Sequence, residues 1–428
     1  MRRFNAHDPG FDAAFDAFLA EPRGSPADVD AAVEAVIAGV RAGGMAAVLR
    51  FTSQFDGVEL TEDTVRVSRD EIAHGAAQCP LPVREALTFA AGRIVAYHQR
   101  QRPADERFTD AAGVELGWRW RALDSVGIYV PGGRAAYPST VLMNAIPAKV
   151  AGVGRIAMAT PPGGLTPVVL AAAQLAGVSE IWRVGGAQAM AALAFGAAPM
   201  RAVDKIVGPG NAYVTAAKRR LHGVVGIDAL AGPSEIVVVA DGPNDPAWIA
   251  ADLISQAEHD PDAQAILITD DAAFADAVEA AMAGQLAALA TGADASASWR
   301  DHGAIVISPL EQAPALVDRI APEHVEFALD EPEALADRVR HAGAIFLGRY
   351  APEAIGDYVA GSNHVLPTSR AARFSSGLSV LDFLKRTSIV KCDAQAFAAL
   401  APAVIALATA EGLPAHARSA EIRMNRRR

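Results

Sequence analysis

Gln256 and His259 stand three residues apart in the stretch 251–269, which begins with a helical pattern and ends in a buried strand pattern. On a helix this spacing places both side chains on one face. Asp260 and Pro261 should end that helix, so the pair is expected near its C-terminal end. An imidazole nitrogen and an amide oxygen can both bind a divalent cation. The alternative is a solvated glutamine beside a histidine that the helix dipole favours.

Two further side chains could complete a metal site. Asp357 lies in a glycine-flanked segment of an irregular stretch, 350–376, and His416 lies in the short C-terminal segment 414–417. With Gln256 and His259 they form a set of two nitrogens and two oxygens, which suits zinc. Taken singly, Asp357 could cap a loop and His416 could be an ordinary surface residue.

Glu323 and His324 are the candidates for acid–base chemistry. They follow Pro322 at the end of a predicted helix, and the pair combines an imidazole that titrates near neutral pH with an adjacent carboxylate. An exposed helix start, with Glu323 favoured by the dipole, is the alternative. Glu411, just past a predicted helix that ends at residue 410, could be an ordinary terminal carboxylate.

The other histidines and the two cysteines have no pattern that predicts chemistry. We expect His7, His74 and His98 at the surface. Cys79 precedes a proline and Cys392 precedes an aspartate, and neither has a second cysteine nearby. Two cysteines exclude a disulfide framework and a thiolate zinc cluster, and they favour a reducing compartment.

Glycine- and proline-rich turns recur about every 23 to 30 residues between positions 126 and 240, each after a short apolar run. This rhythm is typical of βα units in a parallel sheet, which binds ligands at the carboxyl ends of its strands. Helices that start near residues 187 and 212 would suit a bound phosphate. The dinucleotide fingerprint is absent because Tyr213 occupies the position of its third glycine. A nucleotide site and a purely structural sheet both remain open from this pattern.

The predicted fold class is α/β, with two Rossmann-like, incomplete doubly wound domains that contain parallel sheets. Small helical segments are expected at both termini. A buried strand is predicted at 265–269, and two further strands are predicted at 304–307 and 344–347. The predicted division has four parts. Residues 1–25 form an N-terminal helical arm, and residues 26–126 with 236–378 form a first domain with the metal and catalytic residues. Residues 127–235 form a second domain with the cofactor-binding turns, and residues 379–428 form a C-terminal helical segment.

Composition excludes several classes of protein. A net charge of −11 over 428 residues argues against nucleic acid as a main partner. No apolar run approaches the roughly 18 residues of a membrane span, and no secretory signal is evident at the N-terminus. We therefore expect a soluble, cytoplasmic protein.

Seven motifs, in order along nearly the whole chain, resemble those of the histidinol dehydrogenase family. They are Tyr-Val-Pro-Gly-Gly at 129–133, Val-Gly-Gly-Ala-Gln-Ala at 184–189, Gly-Pro-Gly-Asn at 208–211, Ala-Gly-Pro-Ser-Glu at 231–235, Ser-Gln-Ala-Glu-His at 255–259, Ala-Pro-Glu-His at 321–324, and Gly-Ser-Asn-His-Val-Leu-Pro-Thr at 361–368.

The resemblance implies a zinc- and NAD-dependent enzyme that acts as a homodimer with a shared active site. It also implies that the small helical segments at both termini take part in dimerisation. Its implied zinc ligands are Gln256, His259, Asp357 and His416. Its implied NAD contacts are Tyr129, Gln188 and Asn211. Its implied substrate contacts are Ser234, Gln256, His259, His324, Asp357, Glu411 and His416, with Glu411 and His416 supplied by the other subunit.

The implied reaction is the oxidation of L-histidinol to L-histidine through histidinal, with His324 as general base, Glu323 activating water, and zinc positioning the substrate. Three alternatives are a relative that oxidises another alcohol, a zinc-dependent hydrolase, and a non-catalytic zinc or assembly protein. The carboxylate of Glu411 disfavours an anionic substrate. The absence of His-x-His and His-Glu-x-x-His spacings disfavours the hydrolase.

Overall fold

Strands and helices alternate through most of the chain, as the computed structural model shows for residues 1–23, 29–132 and 136–424. Two units are compact by themselves: the larger comprises Met1–Gln101 and Asp124–Phe383, and the smaller comprises Arg102–Leu123 and Leu384–Arg428. The predicted boundary between residues 25 and 26, and Gly133 of the first motif, lie outside the described residues.

The described residues form fourteen strands. In chain order they are β1 (Arg2–Asn5), β2 (Glu106–Thr109), β3 (Glu115–Ala122), β4 (Ser125–Tyr129), β5 (Arg155–Thr160), β6 (Glu180–Arg183), β7 (Lys205–Val207), β8 (Gly226–Ile227), β9 (Glu235–Ala240), β10 (Gln264–Thr269), β11 (Ala304–Ile307), β12 (His324–Ala328), β13 (Ala344–Leu347) and β14 (Leu384–Lys391).

Sixteen α-helices connect or flank these strands in the described ranges. They are α1 (Phe11–Leu19), α2 (Val29–Asp56), α3 (Arg69–Ala77), α4 (Leu81–Gln99), α5 (Pro138–Ala151), α6 (Pro167–Ala176), α7 (Gly186–Phe195), α8 (Ala212–Leu221), α9 (Pro246–Ala257), α10 (Ala272–Ala288), α11 (Gly292–His302), α12 (Ala313–Ile320), α13 (Glu333–Ala336), α14 (Glu353–Tyr358), α15 (Ala394–Ala410) and α16 (Pro414–Met424).

Two all-parallel sheets form the framework of the larger unit. The first has six strands in the order β1-β11-β10-β9-β12-β13, and the second has five in the order β6-β5-β4-β7-β8. Every residue of β9 and β10 is buried, as expected for parallel strands covered on both faces. The predicted α/β fold class with parallel sheets is therefore confirmed.

The smaller unit contains a sheet that the sequence pattern did not predict. β14, β3 and β2 pair in an antiparallel sheet, so residues 384–391 form a strand before the two C-terminal helices begin. At the other end of the chain, β1 pairs in parallel with β11 and precedes α1. The terminal segments are thus mixed rather than purely helical.

The long helix α2 packs against α7 and α8 and contributes to the core around the second sheet. This packing differs from the predicted grouping of residues 26–126 with the first domain. By length and composition α2 could also cross a membrane. This is weak evidence for a membrane span, because core helices of soluble proteins pass the same test. Gly44 interrupts its helical geometry with φ 56° and ψ −138°.

His98, expected at the surface, is fully buried at the end of α4. Its Nδ1–H donates to the carbonyl oxygen of Ile94 over 2.8 Å, and its Nε2 lies 3.4 Å from Nδ2 of Asn363. That amide also donates to the carbonyl of Met143 over 2.6 Å. Burial lowers the pKa of His98, so the imidazole is neutral in the native state.

We predict that His98 makes stability depend on pH. Because its pKa is lower in the folded state than in the unfolded state, the native protein loses stability as pH falls through the unfolded value of about 6.5. A His98→Leu variant should show a shallower fall in the free energy of unfolding between pH 7.5 and 5, measured by urea titration. Parallel slopes for the two proteins, after normalisation at pH 8, would contradict this assignment.

Candidate active site

The first residue of β12 is His324, which pairs with Ile236 of β9 at the amino end of the six-stranded sheet. The predicted location of Glu323 and His324 at a helix end is wrong: α12 ends at Ile320, and Ala321 adopts a left-handed conformation with φ 50°. Pro322 follows and cannot extend the helix. Glu323 and His324 are both buried, with 7% and 4% exposure.

The imidazole of His324 has a defined tautomer. Its Nδ1 lies 3.0 Å from the carbonyl oxygen of Glu235, and because a carbonyl can only accept, Nδ1 carries the proton. Nε2 therefore has a free lone pair. Burial lowers the pKa of His324, while the nearby charge of Glu353 raises it, so the ring is a neutral base with a fixed orientation.

Glu323 is bound by Glu235, the residue of β9 that also binds His324. Its Oε2 accepts a hydrogen bond from the backbone N–H of Glu235 over 3.1 Å and lies 3.7 Å from Nδ1 of His324. Burial raises the pKa of Glu323 well above its usual value, and repulsion from the Glu235 carboxylate adds to this rise. Arg23 pairs with the Glu235 carboxylate, which also accepts the backbone N–H of Ser369 over 3.2 Å.

A second pair of carboxylates faces His324 from α14. Glu353 and Asp357 are four residues apart on this helix and therefore share a face. Asp357 thus lies in a helix, and the prediction that it lies in a loop is wrong. An added Cβ at Gly356 would lie 2.5 Å from the Phe346 ring, so glycine there allows α14 to lie close to β13.

Ligating atoms of His324, Glu353 and Asp357 all lie within 4.8 Å of one another. Glu353 is 1% exposed, its Oε1 lies 3.6 Å from Nε2 of His324, and no described residue donates a hydrogen bond to that oxygen. Burial, followed by repulsion from Asp357, raises the pKa of Glu353 to about 7. Oγ of Ser255 donates to Oε2 of Glu353 over 3.4 Å, which leaves Oε1 as the oxygen without a donor. A cation would stabilise such a buried oxygen beside a second carboxylate that repels it, so this cluster fits a metal ion.

Gln256 and His259 approach this cluster from the end of α9. Gln256 is buried, and its amide lies close enough to lower the pKa of Glu353, opposing the larger effect of burial. The helix ends at Ala257 and not at Asp260, so His259 lies in the following turn and is exposed. Burial raises the pKa of Asp357, and a hydrogen bond with Glu353 and the charge of His259 oppose this rise. Of the predicted ligands, Gln256, His259 and Asp357 are therefore neighbours.

Sequence reasoning assigned no role to Glu353 and to His364, which both lie in this site. Nδ1 of His364 donates to the backbone carbonyl of Asp357 over 3.1 Å, and burial lowers the pKa of His364 to about 4. The four-residue spacing of Glu353 and Asp357 would have identified the glutamate if residues 353–358 had been predicted as a helix. His364 is part of the motif at 361–368, and that motif could have identified it as a site residue.

A cleft of about 780 Å³ joins the amino end of the six-stranded sheet to turns of the five-stranded sheet. Ser234, His259 and Ser369 line it from the first side, and Asn211 lines it from the second. The chain passes from one sheet to the other through residues 228–234, directly before Glu235 begins β9. The cleft can therefore hold a ligand that contacts both sheets.

The three predicted cofactor-binding residues follow or end strands of the five-stranded sheet. Tyr129 ends β4, and its hydroxyl accepts the backbone N–H of Gly186 over 3.1 Å. Burial raises the pKa of Tyr129 to about 12, so the phenol is neutral. Gln188 is buried in α7, and Asn211 is exposed and caps α8 by accepting the N–H of Val214 over 3.2 Å.

The last two predicted site residues belong to the smaller unit. Glu411 follows α15 as its C-cap, and His416 lies in the first turn of α16. Both side chains are exposed. Their participation in the site stays a prediction.

The two parallel sheets and the buried histidine–carboxylate cluster define an α/β protein with a site suited to acid–base chemistry and cation binding. The family model for histidinol dehydrogenase matches residues 19–424. A histidinol dehydrogenase of Caulobacter vibrioides is 73% identical over 424 residues, covering 99% of each chain, and one of Rhodospirillum rubrum is 59% identical, also covering 99% of each chain. The crystal structure of histidinol dehydrogenase from Elizabethkingia anophelis has a TM-score of 0.94 at 35% identity and covers 99% of this chain and 98% of that one.

The chain belongs to the histidinol dehydrogenase family. It is accordingly an oxidoreductase of histidine biosynthesis that acts on a small molecule.

We predict that neutralising one carboxylate stabilises the metal-free protein. At pH 8, above the Glu353 pKa of about 7, a Glu353→Gln variant removes a buried negative charge beside Asp357, so in the presence of a chelator its thermal midpoint should rise by about 2 °C or more. Differential scanning calorimetry measures this shift. Glu333→Gln, which neutralises an exposed carboxylate, is the matched control and should leave the midpoint unchanged. A lower midpoint for Glu353→Gln would show that the carboxylate supports the fold instead.

Proposed function

We propose that this chain oxidises L-histidinol to L-histidine through histidinal, in two successive two-electron steps that use zinc and two NAD⁺. The observation that carries the proposal is the neutral His324 imidazole, which points its free Nε2 toward the Glu353–Asp357 carboxylates while Glu323 lies against its other nitrogen. A base and a second proton acceptor side by side suit a reaction that must remove a hydroxyl proton and then activate water.

Gln256, His259 and Asp357 would hold Zn²⁺ together with His416 of the other subunit. Two imidazole nitrogens and two oxygens are suitable donors for this ion. The unpaired Oε1 of Glu353 and the crowding of negative charge beside Asp357 support a cation here. When bound, zinc would supply an electrophilic anchor for substrate nitrogens and so orient the alcohol carbon.

Tyr129, Gln188 and Asn211 would contact NAD⁺, which accepts the hydride in each oxidation. In the five-stranded sheet β4 lies between β5 and β7. The strands that follow β4 in the chain are therefore added first on one side of it and then on the other, and parallel sheets bind ligands at such a switch point. Tyr129 ends β4 and Asn211 follows β7, which supports a dinucleotide at the carboxyl ends of these strands.

His324 would accept the hydroxyl proton of histidinol on Nε2 as the carbon loses hydride. The hydrogen bond from Nδ1 to the Glu235 carbonyl would stabilise the imidazolium that forms. Glu323 would then accept a proton from water as it adds to the aldehyde, and its raised pKa makes the carboxylate a stronger base. His324 would act again as base when the hydrate is oxidised.

Ser234, Gln256, His259, His324, Asp357, Glu411 and His416 would contact the substrate. Ser234 lines the cleft and directly precedes Glu235, whose backbone binds both proton-transfer residues. Glu411 brings a negative charge, which suits the amine and imidazole of histidinol better than an anionic substrate.

We infer that the active protein is a homodimer in which Glu411 and His416 complete the site of the other subunit. Each unit exposes apolar surface that a partner could cover. α15 exposes Leu400, Val404 and Leu407 at helical spacing, while the larger unit exposes Tyr350 just before α14 and Tyr358 at the end of that helix. The cytoplasmic location remains part of this proposal.

We predict that NADH formation separates the two oxidations. The zinc-loaded protein should form two NADH per L-histidinol, followed at the NADH absorbance, and treatment with a chelator should abolish the activity until zinc is restored. Glu323→Gln should slow oxidation of histidinal by about a hundredfold while slowing oxidation of histidinol much less, because only the second step needs activated water.

His324→Asn is the matched comparison and should slow both steps, since His324 acts in each. An equal effect of Glu323→Gln on both steps would contradict the assignment of Glu323. One NADH per histidinol from the wild-type protein, with aldehyde released, would contradict the four-electron reaction.

We predict that two inactive variants restore activity when they share a dimer. Co-expression of His324→Asn with His416→Asn should yield mixed dimers that contain one intact site, with about one quarter of wild-type activity under random pairing. His324→Asn co-expressed with Asp357→Asn is the control, and it should recover none because each site keeps one lesion. Absence of recovery in the first mixture, with mixed dimers demonstrated by tags, would show that the site lies within one subunit.

A further inference from the structure

A buried ion pair lies directly behind the turn that follows β7. Nζ of Lys218, in α8, is 2.6 Å from Oδ1 of Asp228, and the two side chains are only 2% and 5% exposed. Removing two such charges from water is costly, so a buried pair seldom contributes much to stability and is better explained by the geometry it enforces.

Both members of the pair hold the same residue. Oδ2 of Asp228 accepts the backbone N–H of Gly208 over 2.7 Å, and Nζ of Lys218 donates to the carbonyl oxygen of Gly208 over 2.5 Å. Gly208 has φ +109°, and an added Cβ would lie 2.2 Å from the carbonyl oxygen of Tyr129. The pair therefore holds the turn in contact with the end of β4, and only glycine fits at position 208.

The turn also positions Asn211. That residue caps α8 and lines the cleft, and Lys218 lies two helical turns further along the same helix. Asp228 follows β8 at once, and its backbone N–H bonds to Ile206 of β7. The ion pair thus ties α8, β8 and the 208–211 turn into one unit beside the point where the chain order reverses.

We propose that Lys218 and Asp228 are positioning residues that hold the 208–211 turn in the conformation that binds NAD⁺. This inference rests on the proposed NAD⁺ site. Both charged groups are buried and bound to each other and to Gly208, so they are not exposed to a ligand in the cleft. They act through Gly208 and Asn211.

The test is the double variant Lys218→Met/Asp228→Asn, which removes both charges and leaves neither unpaired. Methionine keeps the apolar stem, and asparagine keeps an oxygen for the Gly208 N–H. Calorimetric titration with NAD⁺ should show a Kd about tenfold higher, and KM for NAD⁺ should rise equally, because small displacements of binding groups are expensive. Zinc content, the Kd of L-histidinol and kcat at saturating NAD⁺ should stay close to wild type.

A second, largely buried ion pair in the same sheet provides the control. Nη1 of Arg155 lies 2.7 Å from Oε1 of Glu180, with side chains 14% and 8% exposed, at the amino ends of β5 and β6. Arg155→Met/Glu180→Gln should disturb stability to a comparable extent without changing the affinity for NAD⁺.

An unchanged NAD⁺ affinity in the folded Lys218/Asp228 variant would overturn the inference, and so would an equal loss in both double variants. If the double variant does not fold, Asp228→Glu keeps both charges while displacing the turn, and the same tenfold loss is expected. The wild-type titration distinguishes failure of the proposed NAD⁺ site from failure of the positioning role. Wild-type protein that binds no NAD⁺ overturns the proposed function, whereas wild-type binding with an unaffected variant overturns only the positioning role.

Discussion

The first residue of β9 holds the two proton-transfer candidates in place. The backbone N–H of Glu235 binds the Glu323 carboxylate, its carbonyl accepts from His324, and its own carboxylate is bound by Arg23 and the N–H of Ser369. Backbone groups at a strand end are normally free to bind loops or solvent. Here they define the tautomer of His324 and the orientation of the Glu323 carboxylate, so the geometry of both candidates depends on where β9 begins.

That starting point is in turn linked to the other sheet. Residues 228–234 are the only connection between β8 and β9, and seven residues can span at most about 25 Å. Because both sheets are parallel, a short link joins the carboxyl end of one to the amino end of the other. Ser234 and Asn211 consequently line one cleft, and a ligand bound there can contact both sheets.

The sequence predicts the framework well, because apolar runs between glycine turns determine parallel strands. The runs at 304–307 and 344–347 coincide with β11 and β13. The site was less predictable where polar residues form regular structure over short lengths. α14 has six residues and contains a glycine, so residues 353–358 resembled a loop and Glu353 was overlooked. Packing of α2 on the second sheet and burial of His98 depend on contacts distant in sequence, which no local pattern encodes.

β12 lies between β9 and β13, with parallel neighbours on both sides. His324 and Glu326 point to the same face of the sheet, and Val325 points to the opposite core. A deletion or insertion of one residue between Ala321 and His324 would move the imidazole to the other face or break two ladders at once. Evolution can therefore vary residue types around this strand more freely than it can vary the length of the chain that leads into it.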